Sequence, residues 1–313
     1  MKILVISLSN LGDALLTYPA LHALWNMHPE AEFHVLASPR TRELFSGDPR
    51  VKKVWIWEKQ ANPLRQVRLV RQLCGERFNL VADFRNSLIP LLMPWARRTP
   101  VLRASTPSGL HRAQAHLNLV AALGVPPSPG PFRIPFGTEE ERQVEQWLES
   151  GRRPVVVVPG ARSHLKRWGA ERFARVADRL IERCQAQVLL IGEEAERPIA
   201  DEVQQAMKHP VTDLVGRTSI RSLAALLTKT LLVITNDSAC LHAAEVMGVP
   251  SVAIFGPTDE RKYGPRHPRS EVVRKSLICT PCEKSYCVRK HECMDWLETD
   301  DVYLAAAKIL ETK

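Results

Sequence analysis

No apolar run in this 313-residue chain approaches the roughly 20 residues that a membrane-spanning helix needs. The opening Met1-Lys2-Ile3-Leu4-Val5-Ile6 resembles a secretion signal only briefly, because Ser7, Ser9, Asn10 and Asp13 interrupt it and no small-residue cleavage pattern follows. It is expected to be a first strand, and the protein is read as soluble and cytoplasmic. Aromatic residues are scarce, at 6%, and no helix-turn-helix or RNA-binding signature occurs. The net charge of +9 is dispersed along the chain, so it argues against a nucleic-acid partner and suits an anionic small substrate or an anionic membrane surface. Seven cysteines, an odd number in a chain of this size, do not make a disulfide framework. There is no G-x-G-x-x-G, which weakens a dinucleotide reading, and no Asp-x-Asp, so the sequence demands no catalytic metal, although a divalent cation could assist.

What is present is alternation. Strand-like runs at Ile3–Ser7, Glu32–Leu36, Val54–Trp57 and Leu80–Phe84 are separated by helical patterns, among them an amphipathic stretch Asp13–Met27 and a basic one near Leu64–Cys74. After a helix at about Arg112–Leu123 comes the most Pro-rich stretch of the chain, Val125–Pro131, read as a linker. The pattern then repeats, with strands at Pro154–Val158, Gln187–Ile191, Leu231–Thr235 and Ser251–Phe255 and helices between them. The chain is therefore expected to hold two successive α/β domains, each on a parallel sheet, with strand order left open.

In parallel sheets ligands gather beyond the carboxyl ends of the strands, and three such ends carry chemistry. The first strand runs into Ser7-Leu8-Ser9-Asn10-Leu11-Gly12-Asp13 at a helix start. Asp13 there is either a carboxylate favoured by the helix dipole or a general base. Pro154–Val158 runs into Pro159-Gly160-Ala161-Arg162-Ser163-His164-Leu165-Lys166-Arg167, whose Arg162, Lys166 and Arg167 suit a diphosphate leaving group or form a solvated basic loop. Leu231–Thr235 breaks at Asn236-Asp237-Ser238 before a short helix that Gly248 should end; Asp237, Ser238, His242 and, after the next strand, Thr258 are expected at strand ends. Ser238 and His242 are four residues apart and share a helix face. The structural alternatives are a capping Asp237 and a satisfied buried His242.

Two further segments are ambiguous. Leu88–Arg98 joins apolar residues to a basic pair and reads either as a core segment with a solvated end or as a surface that docks on the inner leaflet. Cys279-x2-Cys282-x4-Cys287-x5-Cys293 could hold zinc or an iron–sulfur cluster, or be reduced thiols in a small structural knot.

The segments S-x-x-N-L-G-D-A-L-L-T-Y-P-A-L, P-G-A-R-S-H-L-K-R-W and N-D-S-A-C-L-H-A-A-E-V-M-G-V-P-S-V-A-I-F-G-P-T-D, in this order, resemble the bacterial ADP-heptose:lipopolysaccharide heptosyltransferases, the ninth glycosyltransferase family. The resemblance implies a GT-B fold of two Rossmann-like domains facing across a cleft: an acceptor-binding domain at 1–137, a nucleotide-sugar domain at 138–297, and a final helix at 298–313 returning to the first domain. It implies inverting transfer of heptose from ADP-heptose to the inner core of lipopolysaccharide, at a lipid-linked anionic acceptor, with peripheral contact at the cytoplasmic membrane. By this resemblance Asp13 is the base and Lys166 the donor-phosphate lysine. Asp237, Ser238, His242 and Gly256-Pro257-Thr258 form the donor motif with Gly160, Arg162 and Arg167, and Glu194 or Glu196 meets the ribose. Asn10, Gly12, Arg97, Arg98 and Arg112, with Arg103 and His111, are acceptor candidates. The chain departs from the family's pattern at Ala239-Cys240. A different nucleotide sugar, or an inactive metal- or redox-binding relative using the cysteines, are the competing expectations.

Overall fold

The apolar runs are strands in a computed structural model, which describes residues 1–103, 109–126 and 133–311. The chain divides into two units, Met1–Pro135 and Phe136–Lys313. The expected linker lies outside the described residues from Pro127 on.

In the first unit, β1 (Lys2–Ile6), β2 (Glu32–Ala37), β3 (Val51–Ile56), β4 (Leu80–Asp83) and β5 (Arg97–Arg98) form a parallel sheet in the order β3-β2-β1-β4-β5. Near-continuous apolar sequence in β1 and β4 follows from burial on both faces. One face carries Leu4, Ile6, Val81 and Leu36 against Leu73 and Phe78 and against Ile89, Met93 and Ala96 of the segment after β4. The helices Tyr18–Met27 and Arg112–Ala121 pack on each other. The expected single helix Asp13–Met27 is in fact two, Leu11–Leu15 and Tyr18–Met27. Pro19 in the first turn of the second has no N–H to continue the ladder, and the Thr17 hydroxyl donates instead to the Ala14 carbonyl at 2.6 Å.

In the second unit, β6 (Arg153–Val158), β7 (Ala186–Leu190), β8 (Thr212–Asp213), β9 (Leu232–Asn236), β10 (Ser251–Phe255) and β11 (Glu271–Arg274) are parallel in the order β11-β10-β9-β6-β7-β8. The chain leaves β6 in one direction for β7 and β8, then reverses to build β9, β10 and β11, so a topological switch point lies between β6 and β9. Val155, Val157, Leu232, Ile234, Val252 and Ile254 are all at most 1% exposed, each worth about 1.5–3 kcal/mol of apolar burial. The final helix Thr299–Glu311, expected to return to the first domain, packs on the helix Ala170–Cys184 and on β9 to β11. Its apolar face, Val302, Ala306, Ile309 and Leu310, is taken up by the same core as Phe173 and Leu180. No helix among the described residues is long and apolar enough to cross a membrane.

Candidate active site

The loop after β6 and the turn after β9 meet at the switch point through side chains of Asn236 and Asp237. Asn236 is fully buried; its Nδ2 donates to the Pro159 carbonyl at 2.8 Å and its Oδ1 accepts the Trp168 N–H at 3.1 Å, bracketing the basic loop at both ends. Asp237 does not cap the following helix. Its Oδ2 accepts the Lys166 ammonium at 2.6 Å, with the carboxylate side chain 7% and the lysine 33% exposed. An ammonium carries three N–H donors, so this bond fixes the head while leaving others for a ligand's oxygens. Ser238 is the N-cap residue of the helix Ala239–Met247, yet its hydroxyl lies 2.9 Å from Thr235 Oγ1 and makes no capping bond. The first-turn N–H groups of that helix are thus not capped by Ser238, the arrangement that favours an anion. Gly248 ends the helix at φ +72°, a conformation that glycine adopts without steric cost. His242 is buried within it, as is Cys240, whose thiol burial pushes up to about 12.

Glu194 and Glu196, equivalent in sequence, diverge in space. A Cβ built on Gly160 would lie 2.2 Å from Glu196 Oε1, so the carboxylate stands directly over the loop after β6. Its Oε2 accepts the Glu193 N–H at 2.9 Å, and burial raises its pKa against the opposing pull of that bond. Glu194 turns toward Gly216, where an added Cβ would lie 1.9 Å from its Oε2. Arg167 is held by a bond from Nε to the Ala161 carbonyl at 2.8 Å, and Arg162 is exposed on the same loop. Thr258 is buried in the turn after β10, beside Asp259, whose carboxyl the bidentate Arg261 guanidinium holds below its ordinary value.

The cysteine-bearing segment belongs to this neighbourhood, which its spacing alone does not reveal. The Cys282 and Glu283 N–H groups donate to the Pro257 carbonyl at 3.0 and 2.9 Å, and His291 Nε2 is 2.7 Å from the Leu165 carbonyl. Gly256 lies under Met294 and Cys293, where a Cβ would be 2.4 Å from the methionine sulfur. Cys279, Cys282, Cys287 and Cys293 line one small cavity of about 30 Å³ with Leu165 and Pro257, and all are free thiols. Burial, then the neighbouring thiols, push Cys293 up to about 11. Among the described residues no group of three or more His, Cys, Asp or Glu side chains is arranged to hold a metal ion.

In the first unit, Asp13 follows β1 in the third position of the helix Leu11–Leu15, and its Oδ2 accepts Asn10 Nδ2 at 3.0 Å. Gly12 lies between them. Arg103 reaches the carbonyl of Asp83, at the carboxyl end of β4, at 2.8 Å. His111 caps the helix that Arg112 opens, accepting the Ala113 N–H at 3.2 Å. The structure does not bring Arg97 and Arg98 to the same end of the sheet. They are β5, in register with Leu80 and Val81 toward the amino end, and Arg97 Nη2 donates to the Leu123 carbonyl at 3.0 Å. Asn236 and His291 were not singled out from sequence; an amide at the last position of a buried strand is the one signal that pointed to Asn236.

Residues 103–292 match the model of glycosyltransferase family 9 (heptosyltransferase). The chain is similar to lipooligosaccharide heptosyltransferase 2 of Campylobacter jejuni, 27% identical over 313 residues, covering 96% of this chain and 97% of that protein. Among solved structures it is similar to a family 9 glycosyltransferase of Veillonella parvula (TM-score 0.83, 21% identity, 100% of this chain and 97% of the other). It is also similar to E. coli ADP-heptose LPS heptosyltransferase II (TM-score 0.81, 23% identity, 99% and 98%), a likeness that shows the GT-B fold.

Proposed function

A chain well over half of which matches that model belongs to glycosyltransferase family 9 (heptosyltransferase), and from that premise we propose that it moves a heptosyl group from ADP-heptose to the inner core of lipopolysaccharide with inversion. The observation that carries the donor side is the Lys166–Asp237 pair, an ammonium pre-aimed at the start of a helix whose first-turn N–H groups are not capped by Ser238. Glu196, over Gly160, is the better placed of the two glutamates for the nucleotide ribose.

In the proposed step an acceptor hydroxyl attacks the anomeric carbon and gives its proton to Asp13. The bond from that carbon to the phosphate oxygen breaks, and its electron pair leaves with ADP. Lys166, Arg162, Arg167 and the helix start at Ser238 stabilise the charge that develops on the diphosphate. The residues present require no resident metal for this; a divalent cation accompanying the diphosphate would add to the same charge. Asn10, Gly12, Arg103 and Arg112 are assigned to a lipid-linked anionic sugar acceptor, which would bring the protein to the inner face of the cytoplasmic membrane.

The test is Asp13→Ala assayed for ADP release with ADP-heptose and truncated core acceptors. Loss of a general base should lower turnover by about 100-fold or more while ADP binding holds. Turnover within a few-fold of the parent would remove Asp13 from the mechanism. Thermal shifts with ADP against UDP and GDP separate this donor from another nucleotide sugar.

A further inference from the structure

The first unit carries an apolar and basic face that neither its core nor the proposed chemistry uses. The helix Pro63–Gly75 crosses from β3 to β4, and the segment Leu88–Trp95 leads from β4 toward β5. Both start after the carboxyl end of a strand and return to the amino end of the next, so they run side by side in one direction. Their inner residues, Leu69 and Leu73 from one, Ile89 and Met93 from the other, share a single cluster, and Cys74 Sγ lies 3.5 Å from the Leu92 carbonyl.

Their outer residues are the unusual part. Leu64 and Val67 on the helix and Leu88, Leu91, Leu92 and Trp95 on the segment are between 42% and 77% exposed. Interspersed on the helix are Arg65, Arg68 and Arg71, also exposed and without a carboxylate partner among the described residues. Neither 59–75 nor 85–98 contains a single Asp or Glu. A water-facing surface mixes both signs of charge and hides its leucines.

We infer that this face docks on a bilayer rich in anionic phospholipid, with the leucines and Trp95 at the acyl boundary and the arginines among the headgroups. Charge decides the occupant. An isologous contact with a second copy would set arginine against arginine, whereas an anionic headgroup layer complements them. The role of the docking rests on the proposed lipid-linked acceptor; the docking itself does not require transfer.

The experiment is co-sedimentation of the full chain with vesicles of phosphatidylglycerol and phosphatidylethanolamine, against phosphatidylcholine alone, at low and high salt. Two variants are compared, Arg65→Gln/Arg68→Gln/Arg71→Gln and Leu88→Gln/Leu92→Gln/Trp95→Gln; all six positions are exposed, and thermal melts verify folding. The protein should sediment with anionic vesicles only, less so in salt, and the arginine variant should bind about 100-fold more weakly, from about 1 kcal/mol per cation at an anionic surface. The leucine variant should also lose binding, and neither should lose transfer to a water-soluble truncated acceptor. Equal binding by parent and variants, no binding by the parent, equal binding to neutral vesicles, or a dimer that the variants dissolve would each overturn the proposal. Loss of transfer by Asp13→Ala with vesicle binding intact would leave it standing.

Discussion

Asn236→Ala removes the side chain that ties the loop after β6 to the turn after β9, the two loops proposed to seat the donor, and its cost can be worked from the contacts it makes. The residue is fully buried, and besides a long bond of 3.4 Å to the Gly160 carbonyl it satisfies the Pro159 carbonyl and the Trp168 N–H, both of them buried. A buried polar group left without a partner costs about 1–3 kcal/mol, so the pair should cost about 2–6 kcal/mol, a large share of the 5–15 kcal/mol typical of a folded domain. Urea unfolding of the full chain, followed by a signal from the second unit, measures it. Since Pro159 and Trp168 bracket Lys166, donor KM should rise as well. Val203→Ala serves as a control: it opens a cavity in the same core, away from the loops, and should lower stability by about 1–3 kcal/mol without moving KM. Asn236→Asp keeps the acceptor for Trp168 but points a carboxylate oxygen at the Pro159 carbonyl, and should fare no better than alanine. A loss under about 1 kcal/mol, or a KM that follows stability equally in Asn236→Ala and Val203→Ala, would refute the reasoning.

Asp237→Asn keeps the shape of the partner of Lys166 and removes its charge; with the ammonium no longer fixed, turnover should fall by about 100-fold in a steady-state assay, with little change in unfolding midpoint. Gly160→Ala places a Cβ 2.2 Å from Glu196 Oε1, and since the obstacle is the flexible end of a side chain, stability should hold while donor KM rises about tenfold. Glu196→Gln tests the half-buried carboxyl by pH. Its folded pKa is raised above the unfolded value, so the folded chain loses stability as pH climbs from the unfolded pKa through the folded one. The glutamine variant should therefore melt higher than the parent near pH 7 and equal to it near pH 4, and bind the nucleotide more weakly at both.

The interior strands were legible because burial on both faces leaves an uninterrupted apolar run, as at Leu232–Asn236 and Ser251–Phe255. The short strands Arg97–Arg98, Thr212–Asp213 and Glu271–Arg274 were not, since an edge strand needs no apolar sequence and often carries charge. That is also why Arg97 and Arg98 read as acceptor candidates. The break at Leu16–Thr17 was legible in principle from Pro19 and was missed because the apolar spacing continues across it. Site residue types were readable loop by loop, but their pairing was not. Lys166 and Asp237 are 71 positions apart, and only the placement of β9 beside β6 brings them together. Glu194 and Glu196 could not be separated because both lie in one short turn whose two sides face different glycines.

The cysteine segment has a structural role that its spacing does not reveal. Four thiols within fifteen residues invite a metal, yet the contacts that dock the segment are made by other atoms. The Cys282 and Glu283 amides hold the Pro257 carbonyl, the His291 ring holds Leu165, and the Leu297 carbonyl accepts the Trp168 indole N–H at 3.1 Å. Arg172 adds bonds to the carbonyls of Met294, Asp295 and Leu297. These contacts reach the loop after β6 on one side of β9 and the turn after β10 on the other. Loops at a switch point diverge by construction, and the central strand alone cannot fix the distance between their tips. A segment anchored on both can, and Gly256 permits the approach because any side chain there would meet Met294. The proposed donor seat is therefore a set of loops held from within by Asn236 and from without by residues 282–297, with Lys166 between the two restraints.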